Sequence, residues 1–198
     1  MMSNKSYLAR RARLGAVALM FAFACSLLVF VAPARAASDE SDVRGAIESA
    51  FAQLRTGNYD ALYDVLPSAS QRRLSRERFT RALERTKNMY ELERLEIGAV
   101  HVAGDLAMAD SVVYGRARAP FEGEGKIVVR QYLVREAGRW RVTTGDRAAI
   151  SPLLTANPAF AKRYPPTQPR LYVKRDGRWV DIRTMFKDAR QQATKRSG

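Results

Sequence analysis

An α+β fold, with three helices on one face of a curved antiparallel sheet and a hairpin at the C-terminus, follows from three observations. Apolar residues recur at helical spacing from Val43 to Thr86. From Glu91 onward the apolar period drops to two. The segments that alternate are joined by short turn sequences such as Ala103-Gly104-Asp105, Ala137-Gly138 and Asp176-Gly177, too short for a parallel crossover. Helices first and a meander second is the signature of segregated α and β layers.

Each element has its own reason. A short polar lead (Ser38 to Ser41) precedes the first helix, in which Val43, Ile47, Ala50, Phe51 and Leu54 share one stripe before Gly57 closes it. Asn58 starts a second, shorter helix with Leu62, Val65 and Leu66 inward, stopped by Pro67. Ser75 caps a third, where Leu74 and Phe79 stand at hydrophobic-staple spacing and Ala82, Leu83 and Thr86 continue the buried face.

The first strand, Glu91 to Val102, alternates Leu95, Ile97 and Ala99 inward, with Gly98 marking a bulge. Leu106 to Arg118 is the second strand, and Pro120 to Gly125 a loop. Lys126 to Glu136 and Arg139 to Thr144 make a hairpin. Residues 147–170 hold five prolines and read as a connector, with a helical turn at Ala159 to Arg163 and an extended path at Pro165-Pro166. A last hairpin, Leu171 to Ile182, turns on Asp176-Gly177 and packs on or extends the sheet. The tail from Thr184 turns polar and basic and is expected to fray. The two hairpins are alike in sequence, and in each a cation (Arg135, Lys174) falls opposite a tryptophan (Trp140, Trp179), where it can lie along the indole. A favourable hairpin used twice explains this without a duplicated binding element.

The N-terminus reads as an export address. Lys5, Arg10, Arg11 and Arg13 precede the uncharged run Ala16 to Ala32, and Ala34-Arg35-Ala36 offers small residues to a signal peptidase. Cleavage near Ala36 places the mature chain in the periplasm or outside the cell; an uncleaved leader would anchor it in the inner membrane. Lipidation of Cys25 is disfavoured by the bulky Phe23 before it and the apolar run Leu27 to Val31 after it. Cys25 is the only cysteine, so the mature chain has no disulfide and no thiolate chemistry. The leader carries five of the 34 Lys and Arg and none of the 20 acidic residues, leaving 29 basic against 20 acidic, a net +9. Outside the cytoplasm such a charge suits anionic headgroups, wall polymers or an acidic protein. The organisation is therefore a leader (1–36), a main domain (37–146), a proline-rich connector (147–170) and a hairpin with a basic tail (171–198).

Two segments resemble a known family. Leu54-Arg55-Thr56-Gly57-Asn58-Tyr59-Asp60-Ala61-Leu62 is similar to the helix-one to helix-two junction of the nuclear transport factor 2-like superfamily, which includes steroid-isomerase-like and polyketide-cyclase-like domains. Gly138-Arg139-Trp140-Arg141-Val142 is similar to its closing hairpin. The resemblance covers about residues 42–145. It implies a cone with an apolar pocket between helices and sheet, used by isomerases, by dehydratases and by modules with no chemistry, so the fold alone does not choose among them. Some exported relatives are membrane-anchored parts of secretion machinery.

What the resemblance implies about a site can be set against the residues. Its enzymes place an Asp or His in the cone as general base, and Asp110 is the best match, on a strand face with Met108, Val112 and Tyr114. Burial there would raise its pKa, and Tyr114 or Tyr63 would supply an oxyanion donor. If that face points to solvent instead, Asp110 is a strand charge near Arg116. His101, the sole histidine, is too far along the hairpin to hydrogen-bond Asp110 and reads as a surface residue, without partners for a zinc site. Arg72, Arg73, Arg78, Arg81 and Arg85 make a basic helix region that is solvated or docks an anionic polymer, and no interleaved aromatics make a nucleic-acid platform. No phosphate loop, metal cluster or Ser-His-Asp signature is present. The expectation is a cofactor-free, metal-free binding module for a small apolar ligand or an envelope partner, with Tyr59, Tyr63, Asp110 and Tyr114 lining the pocket. Nucleic acid is not an expected partner, and the sequence leaves the oligomeric state open, a homodimer included. The alternatives are an isomerase- or dehydratase-like enzyme using Asp110 and a membrane-anchored assembly module.

Overall fold

The computed structural model describes residues 32–118, 122–143, 145 and 147–185. The chain divides into two units, Met1–Asp39 and Glu40–Gly198. Of the first, only the helical residues from Ala32 are described, so the export leader lies outside the described residues. Among those that are described, no helix is long and apolar enough to cross a membrane.

The second unit is α+β, with N-terminal helices followed by a curved, unclosed six-stranded antiparallel sheet. Helix α1 (Ala32–Thr56) begins well before the expected Val43, because the alanines and acidic residues ahead of it are compatible with helix. Val43 and Ile47 are fully buried on its inner face. Asn58 caps α2 (Tyr59–Asp64), its side chain accepting from the Ala61 amide. Pro67 ends α2, but the chain re-enters a helix at once in α3 (Ser68–Arg73), giving four helices ahead of the sheet among the described residues where the sequence predicts three. Proline at an N-cap blocks nothing downstream, since only amides inside the helix need intrahelical acceptors. Ser68 secures α3 to the sheet, its amide and hydroxyl donating to the Glu136 carboxylate at 3.0 and 2.6 Å. Helix α4 (Arg76–Glu84) is capped by Ser75 and buries Phe79, as its sequence predicts, against Tyr63 and Leu66, while Ala82, expected on the same face, is exposed.

Strands β1 (Tyr90–Ala103), β2 (Leu106–Ala117) and β3 (Gly123–Glu136) form the meander. β4 (Arg139–Val142) pairs with one end of β3, at 133–136. After β4 come helices α5 (Arg147–Ala156) and α6 (Pro158–Arg163), then β5 (Arg170–Arg175) and β6 (Arg178–Asp181). β5 pairs with the other end of β3, Gly125 to Val128, so the last hairpin extends the sheet. Both predicted hairpin turns place two residues at positive φ, Ala137-Gly138 and Asp176-Gly177.

β1 contains two register shifts, between Leu92 and Arg94 and between Ile97 and Val100. The second sits at Gly98, where a bulge is expected, but it removes Ala99 from the inward set and substitutes Val100. Arg44 of α1 caps this bulge by donating to the Ile97 and Gly98 carbonyls at 3.0 and 2.8 Å. The bulges keep Leu92, Leu95, Ile97, Val100 and Val102 on one face although their spacing is not strictly two.

The connector is the largest correction. Most of it is helical, and Ile150, Leu154 and Phe160 pack on Leu106, Met108 and Tyr132. Pro158 occupies the first turn of α6, where its missing amide costs nothing, and Asn157 closes α5 by donating to the Leu153 carbonyl at 2.9 Å. The sheet is thus covered on both faces, by α1 with Ala107, Ala109 and Leu133, and by α5 and α6 with Leu106, Met108 and Tyr132. The tail beyond 185 and the loop residues 119–121 lie outside the described residues.

Candidate functional site

Alternation along β2 decides where the expected pocket residues point. Ala107, Ala109 and Ser111 share the face under α1, whereas Met108, Asp110 and Tyr114 share the opposite one. The four residues expected in one pocket do not converge. Tyr59 and Tyr63 belong to the helix layer, Asp110 and Tyr114 to the far face of the sheet.

Asp110 lies directly across from Arg130 on β3, and the guanidinium grips both carboxylate oxygens, at 2.9 and 3.2 Å. Arg130 donates further to the Pro165 carbonyl at 3.1 Å. The hydrogen bond to Asp110, opposed by partial burial, raises the Arg130 pKa above its usual value. The Asp110 side chain remains 44% exposed. Its partner is Arg130, not the expected Arg116, which pairs with Glu93. A carboxylate gripped through both oxygens by an arginine that also reaches the Pro165 carbonyl suits an ion pair that fastens the connector to the sheet.

Tyr114 stands in a cross-strand row, Arg94–Tyr114–Lys126–Tyr172–Asp181, that spans β1, β2, β3, β5 and β6. The Arg94 guanidinium lies 4.0 Å from its ring centroid, and its hydroxyl donates to Glu96 at 2.9 Å. Lys126 faces the Trp179, Tyr172 and Tyr114 rings at 4.6, 5.5 and 6.0 Å. Tyr63 is buried, with its hydroxyl within 3.0 Å of the Gln71 carbonyl and 2.9 Å of the Leu74 carbonyl, which ties α2 to the end of α3. His101 is exposed, as expected, and stacks on Tyr164 with centroids 4.8 Å apart.

Tyr59 lines a cavity. This cavity, of about 680 Å³, lies where the end of α1 meets the start of β1, and its walls include Leu54, Arg55, Tyr59, Lys87, Asn88 and Leu92. Burial first, and then the nearby Tyr90 and Glu84, hold the Tyr59 phenol above its usual pKa, so it stays a neutral donor at physiological pH. Of the charged residues around the cavity, Glu91 pairs with Arg118 and Glu93 with Arg116. Lys87 has no ion-pair or hydrogen-bond partner among the described residues, and Arg55 only leans on the Phe51 ring, 5.7 Å from its centroid. Two uncommitted cations, a phenol and the Asn88 amide beside Leu54 and Leu92 form a mixed lining, more polar than the apolar pocket expected.

No family model matches the chain, and no curated protein matches it. Among solved structures, the chain is similar to a SEC-C motif containing protein from Rhodopseudomonas palustris, with 11% identity over 50% of this chain and 72% of that one and a TM-score of 0.41. It is also similar to an LEH-like epoxide hydrolase from M. tuberculosis, with 14% identity over 63% of this chain and 98% of that one and a TM-score of 0.37. At these values neither likeness bears on what this chain does.

Sequence reasoning missed Arg55, Lys87 and Arg130. Arg55 lies inside the segment used to recognise the fold, and Lys87 in the turn between α4 and β1, where a single cation among polar residues gives no pattern. Arg130 was findable, because an arginine on the next strand at the register of Asp110 is a cross-strand pair.

Proposed function

We propose that this chain is an exported, non-catalytic binding module that holds a small amphiphile with an anionic head in the cavity at the end of α1. The observation that carries the reading is the pairing of a cavity of about 680 Å³ with two cations that the fold does not use. Its size falls within the roughly 300–1,000 Å³ of small-molecule sites. A carboxylate or phosphate would receive Arg55 and Lys87, with the neutral Tyr59 hydroxyl and Asn88 as further donors, while Leu54 and Leu92 meet its apolar part. The family resemblance of residues 42–145 is compatible with a binding role and with an enzymatic one. The engagement of Asp110 by Arg130 argues against the enzyme alternative.

Isothermal titration of laurate into the purified protein tests the reading. One site per chain is expected, and the pair Arg55→Glu and Lys87→Glu should weaken binding by tenfold or more, the scale of one lost charge-assisted contact. A flat titration, or binding indifferent to that charge reversal, would remove the cavity from consideration. For export, the expected mass of protein recovered from the envelope is that of a chain starting near Ala37. A full-length mass together with a second protein favours the assembly alternative.

A further inference from the structure

Three large hydrophobic side chains are exposed among the described residues, and their positions are not scattered. Met89 (54% exposed) sits between the cavity residues Asn88 and Tyr90. Ile127 (40%) and Leu171 (39%) are a cross-strand pair on β3 and β5. Register places that pair in a row, Leu95–Val113–Ile127–Leu171, across four strands. The neighbouring row on the same face is Leu92–Gly115–Gly125–Val173–Val180, and its first residue lines the cavity. Neither row contains a charged residue, in a chain where 27% of residues are charged. An uncharged track, part-buried at Leu92, Leu95 and Val113 and exposed at Ile127 and Leu171, therefore leaves a cavity that carries unused positive charge, and exposed apolar surface continuous with such a cavity marks a binding site.

We propose that the cavity is the head end of a longer site, and that its ligand is a single-chain anionic amphiphile whose hydrocarbon tail lies across the sheet along Val113, Ile127 and Leu171. The proposal rests on the cavity reading above. Three inter-strand spacings separate Leu95 from Leu171, about 14 Å at roughly 4.8 Å each, so a short acid fills only the cavity and a long one covers the track. The charge pattern selects the class of ligand, because Arg55 and Lys87 meet an anionic head at one end and the uncharged rows meet only hydrocarbon.

Titration with octanoate, laurate and palmitate, each below its micelle concentration, reads the track directly. A fully buried methylene adds about fourfold in affinity. A half-exposed track should add about twofold per methylene, so palmitate should bind at least a hundredfold more tightly than octanoate. Ile127→Asn and Leu171→Asn change surface positions, and circular dichroism verifies their fold. Both should flatten the chain-length dependence while leaving octanoate binding unchanged. If octanoate binds and palmitate binds no better, the tail track is wrong and the cavity reading survives. If no acid binds, both fail. A stable dimer by native mass spectrometry that Ile127→Asn dissociates would show that a second copy covers the track, and would overturn the proposal.

Discussion

The Tyr63 hydroxyl sits between the Gln71 and Leu74 carbonyls and has one proton to give, while Gln71 returns a bond from its side-chain amide to the Tyr63 carbonyl at 2.9 Å. This is a structural tyrosine, and Tyr63→Phe should lower stability by about 1 kcal/mol in urea denaturation without changing ligand titrations. Asp110 makes the complementary case. Asp110→Asn removes one charge from a partly exposed pair, so a loss of no more than about 1 kcal/mol is expected, again with laurate binding intact. A large loss of binding in either variant would mean that the pocket extends to these residues after all. The sequence showed that both side chains were chemically capable. It could not show which partners hold them, because those partners lie 8 to 20 residues away and on other elements.

Among the elements, β1 and the last hairpin carry the clearest consequences. Gly115 faces the β1 bulge so closely that a Cβ there would meet the Glu91 carbonyl oxygen at 2.4 Å. That neighbour is backbone and cannot swing aside, so Gly115→Ala should destabilise by about 1–3 kcal/mol, readable as a lower urea midpoint. The C-terminal hairpin is tied to the sheet in part by Lys174 donating to Glu124 at 2.8 Å, and Glu96 receives the Tyr114 hydroxyl and Arg94. The hydrogen bond from Lys174 holds the Glu124 pKa below its ordinary 4.5, and those from Tyr114 and then Arg94 do the same for Glu96. Because the folded values are the lower ones, this stabilisation is complete above about pH 4.5 and is lost as pH falls through the folded values. Trp179 fluorescence, with Trp140 replaced by Phe, should therefore change on acidification below pH 4.5, and less so in Glu124→Gln. At this scale the sequence was most legible. Caps, the Gly98 bulge and both two-residue turns followed from local chemistry, while α5 was obscured by Pro152 inside it and α6 was legible only as the turn at Ala159 to Arg163.

Across the whole molecule, the edge of β3 is shared between two hairpins, β4 at one end and β5 at the other. Truncation before Arg170 would leave Gly125 to Val128 unpaired, with the exposed Ile127 among them. Such an edge invites strand addition, so the truncated chain should form larger assemblies by light scattering than the full chain does. The same sharing separates the two look-alike hairpins. Arg135 and Trp140 pair on the face under α1, with Trp140 buried in the core and the guanidinium 4.4 Å from its ring centroid. Lys174 and Trp179 pair on the opposite face, beside Lys126 and Tyr114. By itself the sequence determined the class of fold, the turns and the cross-strand tryptophan pairs, because each depends on residues close in the chain. Only the tertiary structure decided which face each strand residue occupies, that Asp110 belongs to an ion pair, and that Arg55 and Lys87 meet at one cavity. A shift of one residue in register exchanges the two faces of a sheet, and that register is fixed by bulges and distant pairings that no local pattern records.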